Sequence, residues 1–143
     1  MQEVSFEEML EQVLAKDTRY HPEAYVFARE ALDYTQKLIA KQSSGQIRQH
    51  VSGQELLEGV RQFALVQFGP MTMTVLEEWG VRNCRDFGEI IFNMVEIGLL
   101  GKTENDTRTD FDGGYEFEEA FRKPFLPSNR QRPEPAETKS NLA

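Results

Sequence analysis

Apolar residues recur every three or four positions in five stretches of the chain, which predicts five helices. The sequence indicates boundaries at Ser5 to Lys16, Pro22 to Lys41, 52–68, Pro70 to Gly80, and Asn83 to Gly98 or Gly101. Start signals support four of these boundaries. Ser5 and Glu8 have the spacing of a capping box, and Pro22 suits the first position of a helix. Ser52 and Glu55 have the spacing of a capping box, and Asn83 is an N-cap residue.

The second predicted helix has an apolar face that is wider than one packing partner requires. Six small or apolar residues form one face, and three larger residues widen it. The six are Ala24, Phe27, Ala28, Ala31, Thr35 and Leu38, and the three are Tyr25, Leu32 and Ile39. This pattern predicts that the helix is buried on more than one side.

The chain changes character after the fifth helix. Residues 102–119 are acidic and contain the turn signal Gly113-Gly114, so we expect a small hairpin or an irregular acidic segment. Residues 124–143 combine four prolines with polar residues, which predicts a disordered tail. The predicted fold is therefore mostly α: one five-helix domain over residues 1–123, in which helices 3–5 have a winged-helix-like arrangement and 102–119 is the wing-like segment.

Charge and composition narrow the class of protein. The 143 residues carry a net charge of −8, with −6 over residues 1–101, −5 over 102–119 and +3 over 120–143. The longest uncharged stretch, 62–76, is shorter than the ~20 apolar residues of a membrane-spanning helix. The first ten residues are acidic, whereas a signal peptide begins with basic residues. These features predict a soluble cytoplasmic protein that does not engage a membrane.

The fourth and fifth helices have the lengths and the glycine-containing turn of a helix–turn–helix. The cations that favour DNA binding there are Arg82, Arg85 and Lys102. However, the stripe of the fifth helix that is predicted to face outward has a net charge of −2, because it carries Asp86, Glu89 and Glu96 against Arg85. Acidic residues near phosphates reduce affinity, so nucleic acid is a disfavoured partner.

Catalytic and metal-binding patterns are weak, and we predict no catalytic residue, no metal site and no cofactor. Residues 108–119 place acids at several EF-hand positions, but Arg108 occupies the first ligand position. On a strand, the alternating acids Asp110, Asp112, Glu116 and Glu118 would share one face and form an acidic cluster suited to a small enzyme. Cys84 lies on an apolar face, which favours a buried residue over a nucleophile.

Four aromatic residues lie in or next to the acidic segment: Phe111, Tyr115, Phe117 and Phe121. Interface anchors are often aromatic, so these side chains are candidates for binding an unknown protein partner; the alternative is that they pack within the domain. The leading hypothesis for function is a noncatalytic interaction or adaptor module. The alternatives are a winged-helix-like DNA-binding regulator and a small enzyme that uses the acidic cluster.

Three stretches carry a resemblance to a known family: HVSGQELLEGVRQFALVQFGPM, VLEEWGVRNCRDFGEIIFNMVEIGLLGKTENDTRTDF and GGYEFEEAF. Over about residues 4–125 the chain resembles small uncharacterised bacterial proteins found mainly in planctomycetes and verrucomicrobia. That family has no assigned activity, cofactor or ligand, so no functional residue carries over. The resemblance implies a free-standing small protein of a bacterial cytoplasm.

Overall fold

The computed structural model describes residues 6–42, 51–98, 100 and 108–127. Over these residues the chain forms five α-helices and no strand: α1 (Phe6–Lys16), α2 (Pro22–Gln42), α3 (Gly53–Phe68), α4 (Thr72–Glu78) and α5 (Cys84–Glu96). Short 3₁₀ turns cover Gly69–Met71, Arg108–Phe111 and Lys123–Phe125, and a π-helical turn covers Glu118–Arg122. The predicted mostly α fold is confirmed.

The predicted start signals form the hydrogen bonds expected of them. The Glu55 N–H donates to Ser52 Oγ at 3.1 Å and the Ser52 N–H donates to Glu55 Oε1 at 3.0 Å, which completes the capping box of α3. The Asp86 N–H donates to Asn83 Oδ1 at 3.0 Å at the start of α5. These bonds satisfy backbone donors that have no partner inside the helix. Ser5 and residues 43–50 lie outside the described residues.

Helix α2 is buried on more than one side, as its wide apolar face predicts. It runs antiparallel to α3, because Phe27 stacks on Phe63 whereas Thr35, further along α2, meets Gly59, which is earlier in α3. A Cβ atom at Gly59 would overlap the Thr35 hydroxyl. The absence of a side chain at this position therefore allows the two helices to approach closely.

An aromatic cluster connects α2 to the C-terminal part of the domain. Phe27 lies at its centre, and its ring centroid is 5.4 to 6.4 Å from those of four aromatic neighbours on α3, just after α4 and on α5: Phe63, Phe68, Trp79 and Phe87. Phe87 in turn stacks on Phe117 at 5.8 Å, and Phe117 meets Phe121 edge-on at 4.9 Å. Phe117 and Phe121 are thus part of the same hydrophobic core as the helices.

Residues 108–119, the described part of the predicted wing-like segment, contain no strand. Of the two predicted alternatives, a small hairpin and an irregular segment, these residues form the irregular segment. Phe111 and Phe117 point into the core, and Gly114 brings the backbone against the helices, since a Cβ there would lie 2.6 Å from Leu57 Cδ1. These contacts with the core, and not hydrogen bonds between strands, attach the segment to the helices. Residues 102–107 and the predicted tail from 128 onward lie outside the described residues.

No helix in the described part of the chain is long and apolar enough to cross a membrane.

Candidate interaction surface

The polar stripe of α5, which we expected to face outward, is instead contacted by other parts of the chain. Arg108 donates to Glu89 Oε1 and to Glu96 Oε2, each at 2.9 Å, and its guanidinium lies 5.2 Å from the centre of the Phe92 ring. Arg19, from the turn between α1 and α2, also donates to Glu89 Oε1 at 3.2 Å. Two acids of the stripe are therefore neutralised by arginines that are distant in sequence.

The rest of this stripe is bound to the α1–α2 turn and to α2. Tyr20 Oη donates to Asp86 Oδ1 at 2.6 Å, and Asn93 Nδ2 donates to Asp17 Oδ2 at 2.9 Å and to Tyr25 Oη at 3.0 Å. Hydrogen bonds from Arg19, and then from Asn93, hold the pKa of the Asp17 carboxyl well below its usual range. This face of α5 holds the domain together, which leaves less of it free for a nucleic acid.

The candidate DNA-binding cations lie at the start of α5. Arg82 and Arg85 are both exposed, but two carboxylates are close to them. The Arg82 N–H donates to Asp86 Oδ2 at 2.9 Å, and Arg85 Nε lies 3.8 Å from Asp112 Oδ1. Asp112 therefore partly offsets the charge of Arg85, whereas the bond from Arg82 is made by its backbone and does not offset the charge of its guanidinium. Lys102 lies outside the described residues.

The aromatic residues proposed as partner anchors are packed inside the domain. Phe111, Phe117 and Phe121 are 3%, 6% and 1% exposed. Tyr115 is partly buried, and its hydroxyl donates to the Leu57 carbonyl at 2.9 Å. Burial raises the pKa of the Tyr115 hydroxyl above its usual value. These contacts correspond to the intramolecular alternative, and a partner would not reach the three phenylalanine rings in this fold.

Phe111 lies in a slot between two helices that is lined by glycine. Cβ atoms built on Gly88 would come within 2.9 Å of the Phe111 side chain, and those on Gly53 within 3.4 Å of its ring. The ring also meets Phe92 edge-on, with centroids 6.3 Å apart. The absence of side chains at Gly53 of α3 and Gly88 of α5 thus leaves room for the Phe111 ring, which anchors the acidic segment to the domain.

Among the described residues, the two side chains of kinds often used in catalysis, Cys84 and His21, make contacts within the domain. Cys84 is buried as predicted, its thiol lies 3.4 Å from the Tyr115 carbonyl, and burial raises the pKa of that thiol. His21 accepts a hydrogen bond from the Glu23 N–H at Nδ1. The acids at 110–118 lie on a 3₁₀ turn, an irregular stretch and a π-helical turn rather than on one face of a strand. Among the described residues, no three potential ligands group together as a metal site would require.

A different surface exposes large apolar side chains, at the corner where α3 ends and α4 begins. Val66 is 70% exposed and Met71 is 55% exposed, and Pro70 between them is also exposed. We call these three residues the corner patch. Isolated exposed apolar residues are common on proteins, but a contiguous group is typical of a contact site.

A groove of about 690 Å³ runs between α2 and α3 next to the corner patch. Its apolar part is formed by Val26, Tyr34 and Phe63, and Tyr34 stacks on Phe63 with centroids 5.2 Å apart. Its polar part carries two cations and two anions of α2 together with one amide of α3: Arg29, Lys37, Glu30, Asp33 and Gln67. The groove and the corner patch adjoin, because Phe63, Val66 and Gln67 are three and four positions apart on one helix. We call the two together the α2–α3 surface.

Two features of the sequence are consistent with this surface, but neither of them identifies it. Val66, Pro70 and Met71 all fall within the longest uncharged stretch, 62–76. The wide apolar face of α2 indicates contacts on more than one side. Neither feature identifies the surface, because the uncharged stretch also contains fully buried residues such as Ala64 and Leu76.

Comparison with protein-family models, with curated proteins and with solved structures found no match for the chain. Membership of the bacterial family that the sequence resembles therefore stays a prediction.

Proposed function

We propose that the protein is a noncatalytic protein-interaction module that binds its partner through the α2–α3 surface. The observation that carries this proposal is the exposure of Val66 and Met71 beside a groove with an aromatic floor. Apolar side chains exposed together at a concave site favour contact with another apolar surface, since burial removes them from water. The predicted cytoplasmic location is part of the same proposal.

The local charge of the groove supports a protein partner over a nucleic acid. Two cations and two anions line it, so the groove itself is neutral, whereas the whole chain has a net charge of −8. Binding to a phosphate backbone requires a surface with excess positive charge. A neutral groove with an apolar floor matches the composition of protein interfaces better.

The alternative proposal is a winged-helix-like DNA-binding regulator that uses residues 82–96. Arg82 and Arg85 are exposed and support it. Against it, Glu89 and Glu96 are paired with Arg108, and Asn93 is bonded to Asp17 and Tyr25, so a DNA-reading helix would first have to give up contacts with its own domain.

The test is capture of partners from an extract of the native cells on immobilised protein, with wild type compared with the Val66→Asp/Met71→Asp variant. We expect proteins that bind the wild type and not the variant. The matched control is Glu77→Gln/Glu78→Gln, which changes two exposed residues of α4 and should leave capture unchanged. Equal capture by all three proteins would contradict the proposal. In a mobility-shift assay at low salt, binding to DNA that is lost in Arg82→Ala/Arg85→Ala would support the regulator instead.

A further inference from the structure

The side chain of His21 closes the first turn of α2. Pro22 begins this helix and has no N–H, so the first backbone donors that need a partner outside the helix are those of Glu23 and Ala24. The Glu23 N–H donates to His21 Nδ1 at 3.0 Å, and the Ala24 N–H donates to the His21 carbonyl at 2.9 Å. His21 therefore supplies both acceptors and occupies the N-cap position of α2.

The bond at Nδ1 requires one charge state of the ring. A neutral imidazole has one nitrogen without a proton, which accepts a hydrogen bond, whereas both nitrogens of an imidazolium carry protons and donate. An imidazolium would also place a positive charge beside backbone N–H groups at the positive end of the helix dipole. Because His21 is exposed, its ring exchanges protons with the solvent while the domain stays folded.

We propose that His21 is a pH-sensitive cap, which closes the first turn of α2 when its ring is neutral and releases that turn when the ring is protonated. This inference does not depend on the proposed function. Since the neutral ring stabilises the folded state, the contribution is present at alkaline pH and is lost as the pH falls through about 6.5, where histidines commonly gain a proton. The usual N-cap residues, Ser, Thr, Asp and Asn, do not change charge in that range.

The charged groups around the ring act in both directions. Glu23 follows it on α2, and the groove of about 520 Å³ beside His21 is also lined by two acids and two cations: Glu77, Glu78, Arg19 and Arg82. The acids favour a protonated ring and the cations oppose it, although Arg19 is also paired with Asp17. All five side chains are exposed, where ion pairs contribute little, and among the described residues His21 forms no ion pair with the acids. The direct bond at Nδ1 therefore sets the direction of the effect.

Urea unfolding at about pH 7.5 and about pH 5.5 tests the proposal with two variants. His21→Asn keeps a cap that does not titrate, because its side-chain oxygen takes the place of Nδ1, whereas His21→Ala removes the acceptor. Both variants keep the backbone bond from the residue 21 N–H to the Trp79 carbonyl, which is 3.0 Å long in the wild type. The stability of the wild type should match that of His21→Asn at the higher pH and approach that of His21→Ala at the lower pH. Relative to His21→Asn, its equilibrium constant of unfolding should rise about fivefold between the two, which is the strength of a typical N-cap.

The matched control is His50→Asn, which changes the other histidine of the chain and should keep the pH dependence of the wild type. Nitrogen NMR of the imidazole is a second measurement that needs no variant, and a neutral His21 should carry its proton on Nε2. Equal pH dependence of the wild type and His21→Asn would overturn the inference. A wild type that gains stability relative to His21→Asn in acid, or a neutral ring with its proton on Nδ1, would also overturn it.

Discussion

The docking of the acidic segment depends on the missing side chain at Gly88, which makes Gly88→Ala an informative perturbation. In a helix this change normally stabilises a protein by about 0.5–1 kcal/mol, because alanine has the higher helix propensity. Here the new Cβ would lie 2.9 Å from the Cβ, Cγ and Cδ2 atoms of Phe111, whereas apolar carbon atoms prefer separations of about 3.5–4.0 Å. Overpacking of this kind costs about 1–3 kcal/mol. We expect Gly88→Ala to destabilise the domain by a net ~1–2 kcal/mol.

The effect of Gly88→Ala on the free energy of unfolding should change sign when the Phe111 ring is removed. Phe111→Ala alone should cost about 3–5 kcal/mol, because the ring is 3% exposed and leaves a cavity. In that background the 3₁₀ turn is free to shift by a few tenths of an ångström, and Gly88→Ala should be neutral or stabilise by up to ~1 kcal/mol. Urea unfolding of the four proteins, followed by circular dichroism, gives the coupling free energy between the two sites. An equal effect of Gly88→Ala in both backgrounds, or a stabilised single variant, would refute the reasoning.

Three further changes test other contacts. Gly59→Ala should destabilise the domain by about 2 kcal/mol or more in urea unfolding, because its Cβ overlaps the buried Thr35 hydroxyl between two helices. Asp17→Asn should make the free energy of unfolding depend less on pH in acid. In the wild type the depressed pKa of Asp17 stabilises the folded state at pH values above the ordinary pKa of 3.8, and this contribution is lost as the pH falls further. Tyr115→Phe should cost about 1 kcal/mol in the same assay, because it removes the hydrogen bond to the Leu57 carbonyl.

The helices were predictable because their signals are local. The capping box at Ser52, the N-cap at Asn83 and the apolar repeats all act within one or two turns of helix, so the five helices follow from the sequence with boundaries close to those observed. The same local pattern correctly placed Cys84 on the buried side of α5.

The long-range contacts were not predictable from local pattern. Amphipathicity shows which side of α5 is polar, but it does not show that Arg19 and Arg108, which are 70 and 19 positions from Glu89, bind that side. The aromatic residues of the acidic segment have no regular period, so packing within the domain was one of two alternatives, and the position of Phe111 between Gly53 and Gly88 was not predicted. The exposed corner patch was not predicted, because the uncharged stretch that contains Val66 and Met71 also contains the buried residues Ala64 and Leu76.

The central claim is that the α2–α3 surface, and not the polar face of α5, contacts the partner. The most direct measurement is photo-crosslinking in native cells with a photoreactive amino acid at position 66 or at position 85. The two sites are closely matched, because the residue Val66 is 70% exposed and the side chain of Arg85 is 73% exposed. The account predicts protein adducts from position 66 and none from position 85. Nucleic-acid adducts from position 85, with no adduct from position 66, would contradict it.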